Sequence, residues 1–164
     1  MNAVATFYPQ INNGISGEVS FHECDPKTKY VKVKISLAGF MENQTHAIHI
    51  HEFGDLRKGC ASLGAHFNPD KTTHGSYLNP NRPRHAGDMI NNIVSDHNGN
   101  VSIEYTDPMI SLFDKKYNII GRSVVIHKKS DDLGRGTGES LVTGNAGERI
   151  ACAVIGIAEP KLCV

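Results

Sequence analysis

The sequence predicts an all-β domain of antiparallel strands, and three observations carry that expectation. Tyr30 to Leu37 sets polar Lys32, Lys34 and Ser36 against apolar Val31, Val33, Ile35 and Leu37, the two-residue period of a half-buried strand. No stretch sustains the 3.6-residue apolar period of an amphipathic helix. Turn-forming clusters such as Asn12-Asn13-Gly14 and Asp25-Pro26-Lys27 separate the alternating runs.

The elements follow in chain order. Gly17 to Phe21 alternates over a short span, Tyr30 to Leu37 comes next, and His46 to His51 forms a third run. Asn98-Gly99 then leads into Val101 to Tyr105, and the Val- and Ile-rich runs Ile119 to His127 and Ile150 to Ala158 complete the set. Two segments break this rhythm. Glu52 to Asn92 is rich in Gly, Pro, Asn and His with few places for a strand, and Lys128 to Glu148 is polar and Gly-rich. Loops beyond about 12–15 residues are uncommon in a compact domain unless they carry function or cross-links. Metal ligands or a disulfide could order such loops.

Composition narrows the function. Hydrophobic residues at 39% and charged residues at 21% mark a globular chain rather than a disordered one. With 164 residues and no repeat or linker, a single domain over residues 1–164 is expected. Seventeen basic residues balance seventeen acidic ones, which argues against a nucleic-acid partner. No apolar run approaches the roughly 20 residues of a membrane span. The N-terminal residues lack a basic start and a long apolar stretch, so a cytoplasmic location is expected.

The nine histidines are the main functional signal. His49 and His51 lie two apart on a predicted strand, so their imidazoles share one face while Ile48 and Ile50 take the other. Alone, such a pair also fits two ordinary strand histidines. The pair is followed by His66, His74 and His85 in the long polar segment, by Asp88, and by His127 at a strand end. Six imidazoles and one carboxylate exceed the four ligands of a closed structural zinc site and suit two metals. Imidazoles alone suit copper, whereas three imidazoles with a carboxylate suit tetrahedral zinc. His22, His46 and His97 read as surface or hydrogen-bonded residues.

Cys60 lies in the long segment and Cys152 in the last strand. A bridge between them would be worth roughly 4–5 kcal/mol in the chain-entropy model. Two free buried thiols are the competing reading, because cytosolic disulfides are rare. Cys24 and Cys163 read as leftover thiols.

The runs His46 to Asp55, Gly59-Cys60, Gly64 to Pro69, His74-Gly75, His85 to Asp88, Ile120 to Arg122, Val124 to His127, Asp131 to Gly134 and Gly144 to Cys152 together resemble Cu,Zn superoxide dismutase. The resemblance covers roughly residues 3 to 158. It implies an eight-stranded antiparallel Greek-key β-barrel, an immunoglobulin-like sandwich, with two long functional loops. It implies one copper held by His49, His51, His66 and His127, and one zinc held by His66, His74, His85 and Asp88. His66 would bridge both metals and carry a catalytic proton, and Arg149 would be the catalytic anion-docking residue. Asp131 would link a copper histidine to a zinc histidine, and Cys60 and Cys152 would form the disulfide.

The activity implied is disproportionation of superoxide to dioxygen and hydrogen peroxide. The alternative is a copper-carrying or decoy relative without catalysis. Implied partners are the superoxide anion, a second copy of the chain and a copper chaperone. The homodimer patch would comprise Gly54, Ile120, Gly121, Val154 and Ile157, with Phe7 as a nearby obstacle. Some positions depart from the family pattern. The stretch from His74 to His85 is longer than usual around Tyr77 to Asn81, and Val142 stands where many relatives carry lysine. Glu148 adds a negative charge beside Arg149, and Lys128 to Arg149 holds four basic and four acidic residues.

Overall fold

A computed structural model describes residues 1–25, 27 and 30–160, so Cys163 lies outside the described residues. Its strands are β1 (Asn2–Phe7), β2 (Ser16–His22), β3 (Val31–Ala38), β4 (Thr45–His51), β5 (Arg57–Cys60), β6 (Asn91–Val94), β7 (Val101–Asp107), β8 (Ser123–His127) and β9 (Arg149–Ile157). The helical content described is one short helix, α1 (Ser140–Thr143), and a 3₁₀ turn at Ala86–Asp88. No described helix is long and apolar enough to cross a membrane.

Eight strands form one antiparallel sheet in the order β6-β4-β8-β9-β1-β2-β3-β7. Its two ends, β6 and β7, approach each other, so the sheet curls into a nearly closed barrel. β3 and β4 are consecutive in sequence yet far apart in strand order, which is the Greek-key crossover. The alternation of β3 faces as expected: Val31, Val33, Ile35 and Leu37 are buried and the intervening polar residues exposed. Each such fully buried aliphatic side chain contributes roughly 1.5–3 kcal/mol. Together with Phe21, Ile48, Ile126 and Ile155 they form the barrel interior.

Several strand boundaries differ from the sequence expectation for identifiable reasons. β1 alternates too, with Ala3, Ala5 and Phe7 inside, but alanine is a weak strand former and hides the pattern. Ile119 and Ile120 belong to a turn, and β8 begins at Ser123. Arg122 N–H bonds Ile119 O at 3.1 Å, and Gly121 takes φ +81°, where side chains are disfavoured. The segment Glu52 to Asn92 contains β5 and the start of β6, whose Arg, Lys and Asn residues conceal their pairing. Phe7 is 2% exposed and packs in the core, so it is no obstacle on the outer surface.

The long segment is tied back to the barrel at several points. Phe67 N–H donates to Ile50 O at 2.8 Å and Glu52 N–H to Ala65 O at 2.9 Å. Cys60 at the end of β5 is bonded to Cys152 in β9, closing a sequence separation of 92. The Arg122 guanidinium stacks 3.6 Å over the Phe67 ring and donates to Glu52 O at 2.8 Å.

Candidate metal centre

β4 presents His49 and His51 on the face opposite Ile48 and Ile50, as the strand period requires. β8 delivers His127, and an irregularity between Ile126 and His127 re-aims that last residue. The same irregularity sets His127 opposite Arg149, the first residue of β9. The loop returning beside β4 brings His66 next to His51. None of the seven predicted ligands is more than 5% exposed.

Their ligand atoms fall into two overlapping groups, each with all atoms within 4.8 Å: His49, His51, His66 and His127, and His66, His74, His85 and Asp88. Hydrogen bonds decide which ring nitrogens are available. His51 Nδ1–H donates to Gly64 O at 2.9 Å and His127 Nδ1–H to Gly147 O at 3.0 Å. Their Nε2 atoms are therefore bare, yet they face each other at 3.3 Å. His49 Nε2–H donates to Asp131 Oδ2 at 2.7 Å, leaving Nδ1 buried with no hydrogen-bond partner. His66 Nε2 is equally orphaned. Four lone pairs converging in a buried space, two with nothing to accept, fit a cation between them.

The second group converges on one oxygen. His66 Nδ1, His74 Nδ1 and His85 Nδ1 lie 3.0, 2.8 and 3.0 Å from Asp88 Oδ1. Three imidazoles and a carboxylate are the donor set of tetrahedral zinc. Asp131 joins the groups, accepting from His49 Nε2 and, at 2.8 Å, from His74 Nε2.

Electrostatics separate the two groups. Burial lowers His49 to a pKa of about 3, His51 to about 2 and His127 to about 4, so these rings are neutral at pH 7. Burial also lowers His66. Burial opposes the charged form of His74, yet hydrogen bonds to Asp131 and Asp88 raise its pKa to about 9. Burial works against the Asp88 and Asp131 carboxylates, but their imidazole partners hold both below the ordinary range.

The four-imidazole group opens onto a cavity of about 520 Å³ lined by His51, His66, His127, Lys129, Glu139 and Arg149, among others. Arg149 is held by two carbonyls, Nη1 donating to Cys60 O at 2.7 Å and Nη2 to Gly64 O at 2.5 Å. Val142 lines the same cavity, and the lysine stem of Lys129 lies against Gly147. Lys128 is paired with Glu148 at 3.1 Å on the exposed rim.

Asn91 and Asn92 on β6 carry a function that sequence reasoning missed. Asn92 Nδ2–H donates to Asp131 O at 3.0 Å, and Asp131 N–H returns to Asn92 Oδ1 at 2.8 Å. Asn91 donates to Asp131 Oδ2 and Gly75 O and accepts from Tyr77 N–H. The available signal was Asn91 itself, which sits at φ +64°, a conformation asparagine tolerates. Of the histidines set aside, His46 donates to His127 O, His97 meets Asn98 at the surface, and His22 contacts Asn2 and Cys24.

Comparison with known proteins gives a consistent picture. A family model described as copper/zinc superoxide dismutase matches residues 15–155. A protein of Paramecium bursaria Chlorella virus 1 named superoxide dismutase [Cu-Zn] is 47% identical over 150 residues, 91% of this chain and 76% of that one. A Schizosaccharomyces pombe protein of the same name is 48% identical over 145 residues, 88% of this chain and 91% of that one. A Drosophila melanogaster protein named extracellular superoxide dismutase [Cu-Zn] is 46% identical, covering 89% and 78%. A crystal structure of the clock protein EA4 superposes with a TM-score of 0.84 at 40% identity, covering 96% of this chain and 94% of that one.

Proposed function

The chain belongs to the copper/zinc superoxide dismutase family, and we propose that His49, His51, His66 and His127 hold its copper while His66, His74, His85 and Asp88 hold its zinc. The single observation that carries this division is the pair of orphaned nitrogens, His49 Nδ1 and His66 Nε2, buried beside the bare Nε2 atoms of His51 and His127. The protein is an oxidoreductase that disproportionates superoxide to dioxygen and hydrogen peroxide. Copper, when bound, supplies the one-electron cycling that the two halves of this reaction need.

The protein's own residues do the rest. Arg149 docks the anion: two of its N–H groups are spent on Cys60 O and Gly64 O, which fixes the guanidinium and leaves further donors for the substrate. Lys129 on the same wall adds a second positive charge, while Glu139 opposes it. His66 is the proton carrier, because its Nε2 is buried without a partner while Nδ1 is anchored at Asp88. Asp131 and the asparagines of β6 fix the tautomers and ring directions of His49 and His74.

The proposal extends to context. Burial of all four copper-type imidazoles supports loading by a copper chaperone before the loops close. A cytoplasmic location is part of the proposal, and cell fractionation tests it. A homodimer is argued below.

The decisive test is metal analysis paired with a superoxide-removal assay on one purified sample. About one copper and one zinc per chain with activity supports the reading. A protein that loads zinc alone, or loads both metals without activity, overturns it.

A further inference from the structure

We propose that the seam between the two long loops is a binding site for a small tetrahedral oxyanion of the phosphate class, gripped by Arg82 and Arg135. A cavity of about 270 Å³ lies there. Ser76, Asn79 and Arg82 stand on one wall, and Gly134, Arg135 and Leu141 on the other. It shares no lining residue with the cavity of about 520 Å³ onto which the four-imidazole group opens.

Local geometry fixes both walls. The first is the extended stretch after His74, folded into two consecutive turns. Asn79 N–H donates to Ser76 O and Arg82 N–H to Asn79 O, each at 3.1 Å. Pro80 takes the second position of the latter turn, where its fixed φ is favoured. Tyr77 pins the stretch to the barrel, its N–H donating to Asn91 Oδ1 and its OH to Thr106 O, both at 2.7 Å. The second wall meets the first backbone to backbone. His74 N–H donates to Leu141 O at 2.8 Å, and a Cβ on Gly134 would stand 2.5 Å from His74 O.

Charge decides what the cavity takes. No Asp or Glu lines it, and residues 71–87 hold three basic side chains and no acid. Arg84 is spent on Asp107, its Nη2 donating to Oδ1 at 2.6 Å. The guanidiniums of Arg82 and Arg135 make no ion pair or hydrogen bond among the described residues. Asp132, the acid nearest Arg135 in sequence, is engaged elsewhere. Its Oδ1 accepts from Gly134 N–H and Ser140 Oγ–H, and its Oδ2 from Asn145 Nδ2–H. The Asn79 side-chain amide and the Ser76 N–H are uncommitted too among the described residues. Ser76 Oγ accepts from Leu78 N–H and keeps its own proton to give.

Two planar guanidiniums with uncharged donors beside them match an oxyanion that takes paired N–H bonds from each. The cavity of about 270 Å³ is smaller than the roughly 300–1,000 Å³ of pockets for drug-sized molecules, so it takes a compact anion rather than a nucleotide. Two like charges lining one cavity repel until a counter-charge lies between them, and a dianion there ties the two loops together.

The test titrates inorganic phosphate into the copper(I), zinc-loaded protein, whose metals are diamagnetic, and follows backbone amide signals by NMR. The signals of Ser76 and Gly134 should shift saturably at constant ionic strength. Arg82→Gln and Arg135→Gln should each weaken that affinity about tenfold or more, as expected for the loss of charge-assisted hydrogen bonds. Arg135→Lys keeps the charge without the fork and should weaken it several-fold. Both arginines are exposed, so the variants should keep the fold, which the same spectra record. Arg149 offers an oxyanion another dock, so Arg149→Gln is the control and should leave the Ser76 and Gly134 shifts at the parent's affinity. Shifts confined to amides around Arg149, or equal affinity in the parent and both glutamine variants, would overturn the proposal. The same shifts with sodium chloride alone would also overturn it, because they mark screening and not a site.

Discussion

Asp131 couples the two donor groups through imidazoles, accepting from His49 on one side and His74 on the other. The division of labour among the ligands can be separated by substitution. His127 belongs to one group only, so His127→Ala should remove copper and activity while zinc stays near one per chain. Asp88→Ala should strip zinc first, because three imidazole nitrogens converge on its carboxylate. If both variants keep both metals by elemental analysis, the ligand assignment fails. The ring of His74 gives a second handle at this scale. Its folded pKa of about 9 lies above the ordinary 6.5, so metal-free protein carries it charged at pH 7. The stability it lends is full below pH 6.5 and lost as pH rises through 9. Zinc must displace its Nδ1 proton, so calorimetry in buffers of different ionisation enthalpy should record close to one proton released per zinc at pH 7. His49, His51 and His127 have folded pKa values far below 7 and release none. The residues legible in sequence were those whose spacing alone implies a shared face, His49 and His51 above all. Asn91 and Asn92 were hidden, because they bind no metal and act only through hydrogen bonds to Asp131 and the loop.

At the scale of elements, the barrel strands are rigid supports and the two long loops supply most of what is specific. The alternation of β3 and the turn at Asn98-Gly99 predicted their strands well, since a half-buried sheet enforces a two-residue period. β5 and β6 escaped because their residues are chosen for the loop they border rather than for a buried face. Their positions matter to the chemistry. β5 ends at Cys60, and Cys60 O is one of the two carbonyls that hold Arg149. The disulfide therefore holds the carbonyl that Arg149 bonds, as well as closing the loop. Replacing both Cys60 and Cys152 by Ser should lower stability by about 4–5 kcal/mol in denaturant titration. At full metal occupancy it should also lower activity several-fold; unchanged activity would separate the disulfide from Arg149. Arg149→Glu should act more strongly, with metal content and melting temperature preserved, because the anion meets repulsion where it had a donor. Activity equal to the parent's would remove Arg149 from the docking role.

At the scale of the whole molecule, the outer surface of the barrel carries a patch that argues for a second copy of the chain. Ile157 is 72% exposed and Phe53 53% exposed, large apolar side chains of a kind that contacts between subunits cover. Ile120 and Val154 are half-buried. Two glycines shape the surface. A Cβ on Gly54 would stand 2.3 Å from Gly121 O and 3.1 Å from Val154, so Gly54 lets two loops close together. Gly121 has nothing within 4 Å of where its Cβ would be, so it leaves open backbone that another molecule can approach. Phe7, turned into the core, leaves this face clear. An exposed apolar patch suits a two-fold contact, in which one surface meets its own copy. The metal-loaded protein is therefore expected to scatter light at about twice 17.9 kDa at micromolar concentration. Gly121→Arg should give monomers, but φ +81° at that position adds backbone strain to the intended clash. Ile157→Arg places the same charge on a strand residue without that strain and is the cleaner probe. Both variants should keep both metals, since the patch and the donor groups share no residue. A parent mass near 17.9 kDa, or an Ile157→Arg protein that still dimerises, would show that the patch faces solvent alone.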